Sequence, residues 1–564
     1  MGEVGFSCVS ECVSAYQLQS VSVHRFRQGI KRTLVHLNHR QMHILQTRTD
    51  ELPHKSGPIG DGSLPRCQNS HPGICRGWRT INHRAWREGI IDALFSVERV
   101  GESMADEVSI DPWSSSQSTD YSRIIEQFGL STVDPSGLPN PHMLHRRGII
   151  FAHRDLDLVL DAQRSGDPFG VLTGLMPSGR MHLGHKMVID QVKWFQEQGA
   201  DVTIAVADLE ALATRGLSLE KCRRAALEEY VANYAALGLD VERTSIYFQS
   251  GRSIVQRLAF TLGKRTNLSE LEAIYGFSGD TNLAHVQAPL VQAGDILHPQ
   301  LDEYGGLRPI VVPVGVDQDP HLRLTRGLAA KTNWFNVKER KAGGLVIGLS
   351  VQEDNAGALG VGPGGKVDSA RRQSVFDRLT GALTDLGYSD LLTNPKHGTI
   401  EIPAATKGDR NRIRPAVLRV ERSLGGLGLL QPSSTYHQFT MGMTGDKMSS
   451  SQPETTIFLT EDAATMEKKV KSSFSGGQPT MEEHRRLGGN PDIDVAFQYL
   501  RYFFEPDDAV LAELEAGYRS GDILTGQMKQ ECIDRAGAWL SELSEARDQT
   551  AHLVDQFLAE DARG

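Results

Sequence analysis

The chain predicts an α/β protein, a doubly wound parallel sheet followed by a C-terminal helical domain. Three observations carry that. Short β-branched runs alternate with helical-period runs from about 148 to 314; a Gly/Pro/Ser turn joins the run at 169–174 to a helix start; and beyond Thr460 amphipathic helical segments dominate.

Taken in order, residues 1–103 show no sustained period of 2 or 3.6 and scatter Gly, Pro, Ser and His throughout, so disorder or weak structure is expected. They carry 13 Lys+Arg against 9 Asp+Glu, whereas the chain as a whole stands at −10. Cys8, Cys12, Cys67 and Cys75 lie there, without the close paired spacing of a zinc site, and no metal ligands are nominated. Met104 reads as a natural start and the head as an upstream extension of the reading frame; a divergent appendage is the alternative. Residues 104–168 form an appended segment with a helix at Ser122–Phe128, an extended run at Gly148–Phe151 and a helix at Asp155–Arg164.

The sheet region, 169–335, then supplies Phe169–Gly174, a helix over Lys186–Gln198, a buried-type strand at Asp201–Ala207, a helix at Leu219–Leu237, and strands at Ser245–Gln249 and Arg308–Val314. Residues 336–430 read as an inserted subdomain with a mobile glycine loop (357–365), a helix at Gln373–Leu386 and a strand at Thr399–Pro403. Residues 431–473 return to the first domain, and 474–564 form a helical bundle that includes Ala509–Tyr518 and Gln527–Leu558. No run of 18 apolar residues occurs and Met1–Ser20 lacks the pattern of a secretory signal, so a cytoplasmic protein with no membrane partner is expected.

Two stretches carry the chemistry. Pro177-Ser178-Gly179-Arg180-Met181-His182-Leu183-Gly184-His185 is a turn that opens a helix. Backbone N–H groups and the positive end of the helix can approach a phosphate chain there, and two histidines can donate to its oxygens. Lys447-Met448-Ser449-Ser450-Ser451 places an ammonium on a hydroxyl-rich, Gly-flanked loop suited to close over the same phosphates.

Together they resemble the paired HIGH and KMSKS signatures of class I aminoacyl-tRNA synthetases. His145–Asp155, Val316-Asp-Gln-Asp-Pro-His321, Phe474-Ser-Gly-Gly477, Gly488–Val495 and Leu524-Thr-Gly526 are similar to archaeal and eukaryotic tryptophanyl-tRNA synthetases. The likeness covers roughly 109–335 and 431–560. It implies a Rossmann-like catalytic domain with a C-terminal α-helical anticodon-binding domain, ATP with Mg²⁺, L-tryptophan and tRNA(Trp) as partners, a homodimer, and no DNA partner. By the same resemblance His182, His185 and Lys447 are catalytic. Pro177, Ser178, Gly179, Gly184, Asp317, Met448, Ser449 and Ser450 bind ATP, Gly184 leaving room for adenine and ribose. Glu210, Gln292 and Gln318 hold the amino acid. Tyrosyl-tRNA synthetases share both signatures, and a non-catalytic paralogue is a third reading; the pattern Ala288-Pro-x-x-Gln292-x-x-Asp295 lacks the tyrosine usual in the tyrosyl branch. Leu172 and Ala205 stand where the tryptophanyl branch usually has tyrosine and often glutamine, so indole recognition is partly rebuilt. Anticodon contacts are sought in Arg501, Tyr502 and Phe503 or in Lys468, Lys469 and Lys471, and Mg²⁺ in the phosphates and water.

Overall fold

The computed structural model describes residues 121–445, 448 and 452–563. The head, the Met104 segment, Lys447, Ser449 and Ser450 lie outside them.

β1 (Ser131–Thr132), β2 (Ile150–Arg154), β3 (Gly170–Leu175), β4 (Asp201–Val206), β5 (Thr244–Phe248), β6 (Ile310–Gly315) and β11 (Ser433–His437) form a seven-stranded sheet ordered β1-β2-β11-β6-β3-β4-β5. The five strands from β11 to β5 are parallel, as expected. The remaining edge departs from that expectation, since β2 runs antiparallel to both β1 and β11. The reason is the length of one connection. The helix Leu156–Ser165 packs against β11 and β6 on its way from β2 to β3. Its ten residues rise about 15 Å, which matches the roughly 14 Å of three strand spacings and leaves no strand-length return to reverse the direction.

The helix Leu183–Glu197 buries Leu183, Met187, Val192, Trp194 and Phe195 against the sheet. The helix expected at 219–237 forms as one run whose middle, Ala226–Val231, widens to a π-turn and buries Tyr230 and Val231. In the tail, the helix Thr525–Thr550 packs on Ala463–Ser472, Val495–Tyr499 and Ala232–Ala236. Met528, Cys532, Ala536 and Leu540 thereby join the apolar cluster that contains Val171 and Met187. Past Thr550 the chain tightens to a 3₁₀ turn, so the long helix ends earlier than its apolar pattern suggests.

A second sheet, β7 (Phe335–Glu339), β8 (Leu345–Leu349), β9 (Leu392–Asn394) and β10 (Thr399–Ile402), is antiparallel in the order β7-β8-β10-β9. The helices Ser369–Asp385 and Arg410–Ser423 cover it with a separate apolar cluster that includes Ile347, Phe376, Leu379, Ile400 and Val417. The glycine stretch expected to be mobile folds onto the first turn of the helix at Ser369. Gly360 has φ +71°, and a Cβ there would lie 2.8 Å from the Arg372 amide nitrogen, so only glycine fits. Among the described residues no helix is long and apolar enough to cross a membrane.

Candidate active site

β3 and β6 pair only at Gly170–Ile310 and Val171–Val311. Beyond that point they separate, and a cavity of about 800 Å³ opens between Leu172–Leu175 and Val312–Gly315, at the carboxyl ends of the strands where the strand order reverses. This is where an open α/β sheet places its ligand.

At one end of the cavity the Pro-Ser-Gly turn feeds the helix Leu183–Glu197. His182 is its N-cap in an extended conformation, and Nδ1 of His182 accepts the Gly184 N–H at 3.1 Å. In return the His182 N–H donates to Nδ1 of His185 at 3.2 Å, closing a capping box made of two imidazoles whose centroids lie 3.9 Å apart. Because each Nδ1 is an acceptor, a neutral ring carries its proton on Nε2. Burial holds the His185 pKa down at about 4, so that ring is a neutral donor at pH 7. A Cβ on Gly184 would lie 2.9 Å from Cε1 of His182 and 3.7 Å from the Met448 sulfur. Glycine is therefore required for the cap itself, while its backbone lines the cavity.

The chain that follows the second signature is held here by backbone pairing. The Leu183 N–H donates to the Ile457 carbonyl (3.2 Å), the Leu459 N–H donates to the Met181 carbonyl (2.9 Å), and His182 pairs antiparallel with Phe458. The Met443 N–H closes the base of the intervening loop on the Thr455 carbonyl at 2.9 Å. Arg180 clamps the join, donating to the Thr460 carbonyl (2.6 Å) and stacking 4.6 Å from the Phe458 centroid. Met448, buried, reaches the cavity wall beside His182 and Gly184.

The cavity is also lined by Glu210, Gln292, Asp317 and Gln318, among apolar walls of Leu172, Ala205, Ile296, Val312 and Leu322. Ser178 also lines the cavity, whereas Pro177 and Gly179 shape the turn without facing it. Burial pushes the Glu210 carboxyl up to about 7 against the pull of Arg215, and no donor is bonded to it among the described residues. Asp295, one helical turn beyond Gln292, closes the Pro-x-x-Gln-x-x-Asp pattern but received no role from the sequence. It is fully buried, accepts from the Tyr247 hydroxyl and from Nε2 of Gln249 at 2.6 Å each, and is raised to about 7 by burial. The signal was present, since Asp295 is the one acid in the otherwise apolar helix Leu283–Leu297. His321 and His437 also line the cavity, and burial lowers them to about 3 and about 4.

A family model for the class I tRNA synthetases of tryptophan and tyrosine (W and Y) matches residues 164–346 and 415–541. The tryptophan–tRNA ligase of Methanosarcina acetivorans is 41% identical over 80% of this chain and 98% of its own length. The chain belongs to the tryptophanyl-tRNA synthetases. Tryptophan–tRNA ligase 1 of Halobacterium salinarum is 37% identical, with 80% of this chain and 96% of that protein covered. The crystal structure of the tryptophanyl-tRNA synthetase of Aeropyrum pernix is similar at 34% identity and TM-score 0.58, over 80% of this chain and 99% of that one.

Of the expected anticodon contacts, Lys468 and Lys471 stay exposed while the other four side chains are engaged within the fold. Tyr502 and Phe503 are buried in a π-helical turn, Leu500–Phe504, with the Tyr502 hydroxyl bonded to Oε1 of Gln438 at 2.9 Å. Arg501 donates to the Arg147 carbonyl, and Lys469 pairs with Glu461 and the Thr456 carbonyl. These side chains hold the helical tail to the rest of the fold and are not free to stack on bases.

Proposed function

We propose that this synthetase activates L-tryptophan with ATP and transfers it to tRNA(Trp). The observation that carries the reading is the neutral histidine cap at the mouth of the sheet cleft, joined by backbone pairing to the chain that follows the Lys-Met-Ser loop. The tryptophan carboxylate attacks the α-phosphorus, one P–O bond forms, and the bond to pyrophosphate breaks. The protein supplies no nucleophile and works by positioning and by stabilising charge. His182 and His185 donate through Nε2 to phosphate oxygens, and Lys447 with Ser449 and Ser450 closes on the leaving pyrophosphate. Ser178, Gly184, Asp317 and Met448 border the nucleotide, with Pro177 and Gly179 setting the turn beneath it. Mg²⁺ enters with ATP, held by phosphate oxygens and water.

Glu210, with its unbonded carboxyl, accepts the indole N–H, and Gln292 and Gln318 hold the ammonium and carboxylate. Leu172 and Ala205 contribute apolar surface only, which leaves polar recognition of the ring to Glu210. For tRNA, the exposed groups of the tail are Phe474, Met481 and Leu487 beside Arg485 and Arg486, a surface on which a splayed base can stack. Phe260 (72% exposed), Leu268 and Leu283 (85% exposed) lie on successive helices beside the amino-acid site and form the face through which two copies pair as a homodimer. The decisive experiment is amino-acid-dependent ATP–pyrophosphate exchange. Exchange with tryptophan and not tyrosine is expected; exchange with tyrosine alone, or with neither, defeats the reading.

A further inference from the structure

The last described turn of the chain docks on β5, behind the amino-acid pocket. Leu558 pairs with Ile246 on the outer edge of β5, and the Ala559 N–H donates to the Ile246 carbonyl at 2.9 Å. Arg223 holds the Ala562 carbonyl at 2.8 Å. Gly251 admits this turn because a Cβ there would sit 2.9 Å from the Asp561 carbonyl oxygen. The consequence of this docking is an ion pair. Both oxygens of Asp561 accept from Arg252, Oδ2 from Nε at 2.5 Å and Oδ1 from Nη2 at 2.8 Å, while the guanidinium is only 4% exposed.

Arg252 is linked to the lining residue Asp295 by two routes. Its guanidinium lies 4.1 Å from the Tyr247 ring centroid and 5.0 Å from that of Tyr304, and the Tyr247 hydroxyl donates to Oδ1 of Asp295. Its Nη1 also meets Nε2 of His298 at 3.3 Å, and Nδ1 of His298 lies 2.8 Å from the Asp295 carbonyl. One tautomer satisfies both contacts: Nδ1–H donates to the carbonyl and Nε2 accepts from Arg252. That requires a neutral ring, in keeping with the burial that lowers His298 to about 3. Asp295 is thus held by its carboxyl and by its carbonyl, and both holds lead back to Arg252. A buried guanidinium without its carboxylate turns toward the next polar group, here the tyrosine and histidine that fix Asp295.

We propose that Asp561 is a positioning residue for the amino-acid site: through Arg252 it fixes Tyr247, His298 and Asp295, and so sets affinity for the aromatic substrate. This rests on the assignment of the pocket to an amino acid, and the test separates the two. Asp561→Asn keeps the shape of the side chain and removes its charge, with a thermal melt to establish that the variant is folded; Asp561→Glu restores the charge. In ATP–pyrophosphate exchange, Asp561→Asn is expected to raise the KM for tryptophan about tenfold, the effect of losing roughly one hydrogen bond's worth of pocket order. The KM for ATP and kcat should stay within twofold, and Asp561→Glu should recover most of the loss. Arg252→Lys should give the same split. Hydrogen exchange of the amides at 291–298 should quicken in Asp561→Asn whichever amino acid the site takes, so the strap is tested even if tryptophan supports no exchange in the unsubstituted protein. Unchanged amide exchange, an unchanged KM for tryptophan, or an equal rise in both KM values overturns the proposal.

Discussion

Replacing Gly184 by alanine places a methyl carbon 2.9 Å from Cε1 and 3.1 Å from Nδ1 of His182, inside normal contact. The imidazole must move by several tenths of an ångström, and it cannot do so while Nδ1 keeps the Gly184 N–H at 3.1 Å. Two costs follow. Loss of the cap removes about 1 kcal/mol from the fold, small for a protein of this size. Displacement of Nε2 removes one preorganised donor from the phosphate site, about 3–4 kcal/mol in the transition state, or 10²–10³ in rate. Gly184→Ala should therefore melt within a few degrees of the parent while its single-turnover formation of tryptophanyl-adenylate slows by about two to three orders of magnitude. The Met448 sulfur, 3.7 Å from the same carbon, stays in ordinary contact. Adenylate formation within threefold of the parent in a folded protein would refute the argument that the two imidazoles form the donor pair.

Other expectations are as direct. Glu210 is pushed up to about 7, so its acceptor form is lost as pH falls through 7, and the KM for tryptophan should climb from pH 8 to pH 6. Glu210→Gln should abolish that slope while raising KM at pH 8 by about tenfold, the effect of one charged hydrogen bond; a slope that persists in the variant counts against this carboxyl. Charging assays should show that Arg485→Ala with Arg486→Ala raises the KM for tRNA without altering adenylate formation, whereas Tyr502→Phe leaves the KM for tRNA unchanged and lowers Tm by the loss of its bond to Gln438. Phe260→Asp with Leu283→Asp should halve the mass seen by light scattering; a parent already monomeric at micromolar concentration rules out this face.

How much of this was written in the sequence depends on whether a residue's role is local. β3, the turn and the helix to Glu197 were legible because apolar period and turn residues act over a few positions. His182 and His185 were legible as a pair at a helix start, yet their mutual cap was not, because it depends on backbone angles that spacing alone does not fix. What holds Asp295 was hidden for a different reason. Its partners Tyr247 and Gln249 lie more than 40 residues away, and only the parallel pairing of β4 with β5 aligns the strand that carries them. Tyr502 and Phe503 misled because adjacent aromatics read as an exposed stacking platform, while a π-turn widens the helix so that both point inward. In the small subdomain, β7, β8, β9 and the helix Arg410–Ser423 escaped notice. The strands are short, and the helix carries Pro415 and five arginines that mask its apolar stripe of Ile413, Val417 and Val420.

Adenylate formation requires two distant signatures to meet on one triphosphate, and a crystal structure with a non-hydrolysable ATP analogue and tryptophan measures that. Nε2 of His182 and His185 and Nζ of Lys447 should each lie about 3 Å from phosphate oxygens of the same molecule, with the indole beside Glu210. A nucleotide bound elsewhere, or a Lys447 ammonium facing away from phosphates that the histidines contact, would contradict it.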